Sequence, residues 1–228
     1  MVSQVWQTKE AIGWAVLSSG LMIYQLIFLR LNLSANHTAD QANLCPNLGW
    51  ANWFSMIRGL LLALLLGFLA GPWPVGWLAW VPGILYLVAS IMDYFDGVIA
   101  RITQQETILG ERLDMSLDGM GVLAGSLVAI HYGQLPVWFL LVGLARYFFL
   151  CGGWLVERSG KTLRPLKPNP FRRAMAGTQM GFIAVVLLPI FFPPVTSVAA
   201  VFFAAPFLIN FFADWLWVSG FSTTHFVF

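Results

Sequence analysis

Seven stretches of the chain are uncharged or nearly so, at 11–29, 52–71, 75–92, 115–132, 135–156, 174–193 and 196–218. A helix needs about 18 to 20 apolar residues to cross a bilayer's hydrocarbon layer, so each stretch is long enough to span. Three of the links between them are tight and turn-like: Gly71-Pro72-Trp73-Pro74, Tyr132-Gly133-Gln134 and Phe192-Pro193-Pro194. Proline and glycine stop helices at such points, which predicts hairpins on one membrane face. Those links carry no Lys or Arg, whereas Arg101, Arg112, Arg158, Lys161, Arg164, Lys167, Arg172 and Arg173 fall at the other ends of the runs. Short cytoplasmic loops are enriched in basic residues, so the basic face is predicted to be cytoplasmic.

The first run, Ala11 to Leu29, is interrupted by Ser18, Ser19 and Gln25 and is weakly flanked by charge. It is expected either to span or to lie in the interface. A cleaved leader is disfavoured, because the start is not basic and no small-x-small site follows the run. The expected organisation is therefore an N-terminal hydrophobic helix and polar connection over 1–50, a six-helix membrane domain over 51–218, and a short tail over 219–228.

Composition agrees with an all-α integral membrane protein. Of 228 residues, 59% are hydrophobic and 10% charged, against about 25% charged in soluble domains. The net charge of +2 and the lack of a basic stripe interleaved with aromatics argue against a nucleic-acid partner. Cys45 and Cys151 are far apart and outside any Cys/His cluster, so neither zinc nor a disulfide framework is indicated.

Six of the ten acidic residues lie between Asp93 and Asp118: Asp93, Asp96, Glu106, Glu111, Asp114 and Asp118. An ionised Asp at the centre of a membrane helix costs roughly 2.5 to 3.5 kcal/mol, so four aspartates call for a position near the interface and for compensating cations. Asp93 and Asp96 are three apart, Asp114 and Asp118 four apart, and each pair shares one face of its helix. A polar connection from Ile102 to Gly110 lets the two helices return antiparallel and bring the pairs together. Such an all-oxygen set suits Mg2+ or Mn2+, which share their shells with substrate phosphates. Gly97 and Ala100 leave room beside the first pair, and Gly121 and Gly125 permit close helix contact after the second.

The pattern Asp93-x2-Asp96-Gly97-x2-Ala100-Arg101-x8-Gly110-x3-Asp114-x3-Asp118 resembles, at every fixed position, the signature of the CDP-alcohol phosphotransferases, also called CDP-alcohol phosphatidyltransferases. Asn52, Ser55 and Arg58 resemble the family's opening helix, Asn-x2-Ser/Thr-x2-Arg. The resemblance implies a six-helix bundle in which Asp93, Asp96, Asp114 and Asp118 hold metal, two ions of Mg2+ or Mn2+, with Asp118 also acting as general base. It implies that Gly97, Ala100, Arg101 and Gly110, with Asn52 and Ser55, shape the CDP site. The implied reaction moves a phospho-alcohol group, such as phosphatidyl from CDP-diacylglycerol, to an acceptor alcohol with release of CMP. Pairing of two chains is a further expectation of the family.

Arg146, within the fifth run, and Arg172 and Arg173, at the start of the sixth, are candidate acceptor-binding residues. Guanidinium groups offer planar multiple donors to phosphate, pointing to glycerol 3-phosphate or an inositol phosphate as acceptor. Three other readings compete. An intramembrane prenyltransferase would need a second Asp-rich motif, and Asp214 stands alone. A cation transporter would carry carboxylates on several helices. A structural salt-bridge network would pair the aspartates with Arg58, Arg101 and Arg112.

Overall fold

The computed structural model describes residues 8–38, 43–102, 106–166 and 170–220, without the side chains of residues 96–101, 170 and 173. Its helices are α1 (Thr8–Asn32), α2 (Gly49–Gly67), α3 (Val81–Ile102), α4 (Ile108–His131), α5 (Leu140–Arg158), α6 (Pro170–Val186) and α7 (Val195–Val218). No strand occurs among the described residues. Six helical segments are long and apolar enough to cross a membrane, and α1 is one of them. The protein is therefore an all-α integral membrane protein whose N-terminal helix precedes the bundle.

Two boundaries differ from the sequence expectation. The sixth run, read as 174–193, forms a helix only to Val186, and its apolar part, Ala174–Val186, is shorter than a full span. Pro189 disfavours helical geometry at the residue before it, which ends the helix early. The connection read as Ile102 to Gly110 is shorter, because α4 already starts at Ile108. Thr107 is the cause: its hydroxyl accepts from the Gly110 amide at 3.0 Å, an N-cap that satisfies one of the helix's orphan donors.

The bundle is built around α2 and α4. Helix α2 packs against α1, α3 and α4, while α4 also contacts α5 and α6. Half of the apolar window of α4 is buried, against 11% for α1, so α4 is central and α1 peripheral. The core joins Leu62 and Leu65 of α2, Tyr86 and Ala89 of α3, Leu117 and Val128 of α4, Phe139 and Val142 around the start of α5, Ile183 and Leu187 around α6, and Ala204 of α7. Outward positions such as Ile209, Phe202 and Phe212 on α7 are exposed, the arrangement of a chain solvated by lipid.

Close approach replaces the hydrophobic drive that water would supply. A Cβ added at Gly125 would lie 2.6 Å from Ile183 Cγ2 and from Tyr86 Cε2, which puts α4 directly against α3 and α6. Gly125→Ala is expected to cost about 1 to 3 kcal/mol by overpacking, read as a lower unfolding temperature in detergent. Helix α1 docks on α2 in a similar way: buried Gln25 donates from Nε2 to the Gly59 carbonyl at 2.9 Å, where only a hydrogen on Gly59 leaves space.

Candidate active site

Three helices bring their chemistry to one end of the bundle. Asp93 lies in the second half of α3, Asp114 and Asp118 in the first half of α4, and Arg58 near the middle of α2. Carboxylate oxygens of Asp93, Asp114 and Asp118 all come within 4.8 Å of one another. The two pairs thus converge as the i,i+3 and i,i+4 spacing predicts, for the three aspartates whose side chains are described.

Arg58 sits among them and is almost fully buried, with 3% exposure. Its Nη1 pairs with Asp93, and its Nη2 lies 3.0 Å from Asp114 Oδ1 and 3.4 Å from Asp118 Oδ1. The same nitrogen donates to the Asp114 carbonyl at 3.4 Å. One guanidinium therefore offsets three carboxylates that are themselves only partly buried, and the cluster keeps a net negative charge. Of the cations assigned to the purely structural network, Arg112 instead donates to Asn32 Oδ1 of α1 at 2.9 Å, and Arg101 falls outside the described side chains. Three hard, ionisable oxygens open to the surface fit a small divalent ion better than a single buried arginine.

The remaining expected ligands separate into three groups. The side chains of Asp96, Gly97, Ala100, Arg101 and Arg173 lie outside the described set. Asn52 and Gly110 meet at the start of α4, and Ser55 lies one turn further along α2. Buried Asn52 donates to the Leu48 carbonyl at 2.6 Å and to Thr107 Oγ1 at 3.3 Å, and a Cβ on Gly110 would lie 2.8 Å from Asn52 Oδ1. Ser55 is buried and donates to the Ala51 carbonyl at 3.2 Å. Here glycine allows α2 to touch the first turn of α4 below the aspartates.

The arginines of the third group also part company. Arg146 crosses from α5 over Gly119, whose added Cβ would lie 3.1 Å from Arg146 Nε, and Gly119 directly follows Asp118 in α4. Arg172 lies 3.5 Å from Asp214 Oδ2, which also accepts from Asn210 Nδ2 at 3.3 Å. Asp214, which stood alone in the sequence, is thus a partner of Arg172.

Sequence reasoning missed the contribution of the segment before α2. The His37 carbonyl accepts from the Ile108 amide at 3.0 Å, and Ala35 packs with Leu109 and Leu113. Backbone acceptors leave no mark in side-chain pattern, so no sequence signal announces this brace. A small pocket beside the aspartates is lined by Arg58, Leu62, Tyr86, Ser90, Asp93, Asp118, Gly121 and Met180.

A polytopic α-helical membrane protein with a cluster of carboxylates on α3 and α4 is the class that this fold and geometry define. The chain belongs to the CDP-alcohol phosphatidyltransferase family, whose profile matches residues 48–216. It is 30% identical over 115 residues, 49% of this chain and 51% of the relative, to a CDP-diacylglycerol–glycerol-3-phosphate 3-phosphatidyltransferase of Cereibacter sphaeroides. A protein of the same name from Bacillus subtilis is 34% identical over 73 residues, 32% of this chain and 38% of that relative. The chain thus spans about half the length of the first of these relatives and less of the second. No solved structure is significantly similar to it.

Proposed function

We propose that the protein transfers the phosphatidyl group of CDP-diacylglycerol to a phosphorylated acceptor alcohol, glycerol 3-phosphate in the first instance, releasing CMP. The observation that carries this reading is the convergence of Asp93, Asp114 and Asp118 within 4.8 Å on the helices that bear the family signature. Both relatives bear the name of the glycerol 3-phosphate enzyme, which favours that acceptor over an inositol phosphate.

Asp93, Asp96 and Asp114 would hold Mg2+ or Mn2+, with Asp118 adjacent, and the bound ions, two in this reading, would neutralise the donor pyrophosphate and the departing phosphate of CMP. Asp118 accepts the proton of the acceptor hydroxyl. The freed oxygen attacks the phosphorus that carries the diacylglycerol, the bond from that phosphorus to the bridging oxygen breaks, and CMP leaves with the electron pair. Gly97, Ala100, Arg101 and Gly110, with Asn52 and Ser55, border the nucleotide. The excess of basic residues in the adjacent connections supports a cytoplasmic position for this end.

Arg146 binds the acceptor phosphate in this scheme, supported by its position over Gly119, the residue that follows Asp118. Arg172 and Arg173 contribute from the start of α6, Arg172 sharing its charge with Asp214. Arg146→Gln is expected to raise KM for glycerol 3-phosphate by about 10- to 100-fold, the loss of one charge-assisted contact, with KM for the lipid donor unchanged in initial-rate kinetics. The acceptor itself is tested by incubating purified protein with Mg2+, CDP-diacylglycerol and a panel of alcohols and identifying the lipid product by mass spectrometry. Phosphatidylglycerophosphate is expected; a product formed only with an unphosphorylated alcohol would refute the acceptor assignment.

A further inference from the structure

The cation at the centre of the aspartate cluster belongs to the protein itself. Arg58 Nη2 lies 3.0 Å from Asp114 and 3.4 Å from Asp118 while Nη1 engages Asp93. These are the three residues whose oxygens converge within 4.8 Å. Magnesium holds its oxygen ligands at about 2.0 to 2.1 Å, so two oxygens on one ion stand no more than about 4.2 Å apart. The carboxylates need only a small contraction to reach that geometry. The guanidinium, however, already engages all three of them.

We propose that Arg58 acts as an internal counter-ion at the ion site, and that its guanidinium must leave this position for the divalent ion to bind. The inference rests on the function proposed above and adds an order to its binding steps. A flexible side chain on α2 can swing away while its backbone stays fixed. An arginine displaced from three carboxylates needs another anion, and the donor pyrophosphate is the one brought to this site. Metal and donor then favour each other's binding, because each relieves a cost imposed by the other's absence, and this coupling is reciprocal. The arrangement also keeps Asp93, Asp114 and Asp118 from repelling one another before substrate arrives.

The alternative is that Arg58 merely orders the aspartates, or that only its charge matters. Mn2+ binding, followed by the electron paramagnetic resonance signal of the free ion on detergent-solubilised protein without donor, separates these cases. Arg58→Gln removes the competitor and is expected to tighten Mn2+ binding by about tenfold or more. Arg58→Lys keeps the charge but lacks the fork that engages three carboxylates at once, and is expected to tighten it by about threefold. CDP-diacylglycerol should tighten Mn2+ binding more in the wild type than in Arg58→Gln.

Weaker Mn2+ binding in either variant would show that Arg58 orders the site and would overturn the proposal. Equal affinity of Arg58→Lys and the wild type would reduce the effect to charge and overturn it as well. If Arg58→Gln does not fold, the Arg58→Lys comparison decides alone. CMP release by the wild type is measured in parallel. Release without the expected affinity changes refutes displacement and leaves the proposed reaction standing, whereas neither release nor Mn2+ binding refutes both.

Discussion

Asp118→Asn is expected to lower CMP release by about 10³-fold, within the range for loss of a general base, while Mn2+ and CDP still bind. The amide keeps the size and one oxygen of the carboxylate but cannot take the acceptor's proton. Arg146, proposed to bind the acceptor phosphate, lies over Gly119, the residue next to Asp118 in α4. The check is a single preparation assayed twice, once for CMP release with CDP-diacylglycerol and acceptor, once for Mn2+ binding. Turnover near the wild-type rate would remove Asp118 from the role of base. Loss of Mn2+ binding together with turnover would make it foremost an ion ligand.

Asp114→Asn is expected to fail differently, losing both readouts. Its Oδ1 stands 3.0 Å from the Arg58 nitrogen at the centre of the cluster, the position from which an ion would be held. Replacing one carboxylate by an amide removes a full ligand charge, so Mn2+ affinity should fall by about 100-fold, as for loss of one strong charged contact, and CMP release should become undetectable at micromolar metal. Partial recovery of release at millimolar Mg2+ would mark weakened binding as the cause. Normal Mn2+ affinity in Asp114→Asn with release abolished would exchange the roles given to Asp114 and Asp118.

The aspartates were legible because helical periodicity acts within a few residues: i,i+3 and i,i+4 spacing sets side chains on one face wherever the helix lies. The apolar runs were legible for a related reason, since a bilayer demands uninterrupted helices and leaves their length in the sequence. Arg58 is the counter-example. It was readable as part of the opening helix and as one member of an ion-pair network, but its place between Asp93 on one neighbour and Asp114 and Asp118 on the other depends on α2 packing against both α3 and α4. No local pattern encodes that.

Two further features depended on distant partners. Arg172 meets Asp214 across 42 residues, and the link is invisible until α6 and α7 pair. Gln179 is fully buried and donates to the Phe203 carbonyl on α7 at 2.5 Å, so its amide joins helices. The early end of α6 is a different matter. Pro189 stood in plain view, and the apolar count that ran past it to residue 193 measured hydrophobicity where helix continuity was the property required.

The central claim is that the acidic cluster at the junction of α2, α3 and α4 carries out divalent-ion-dependent phosphatidyl transfer. Its most direct test is CMP release by the purified wild-type protein from CDP-diacylglycerol with glycerol 3-phosphate, measured with Mg2+ and again after chelation. The account predicts CMP formed in step with phosphatidylglycerophosphate when Mg2+ is present, and none after chelation. Undiminished release in excess chelator, or no release from CDP-diacylglycerol with any acceptor alcohol, would contradict it.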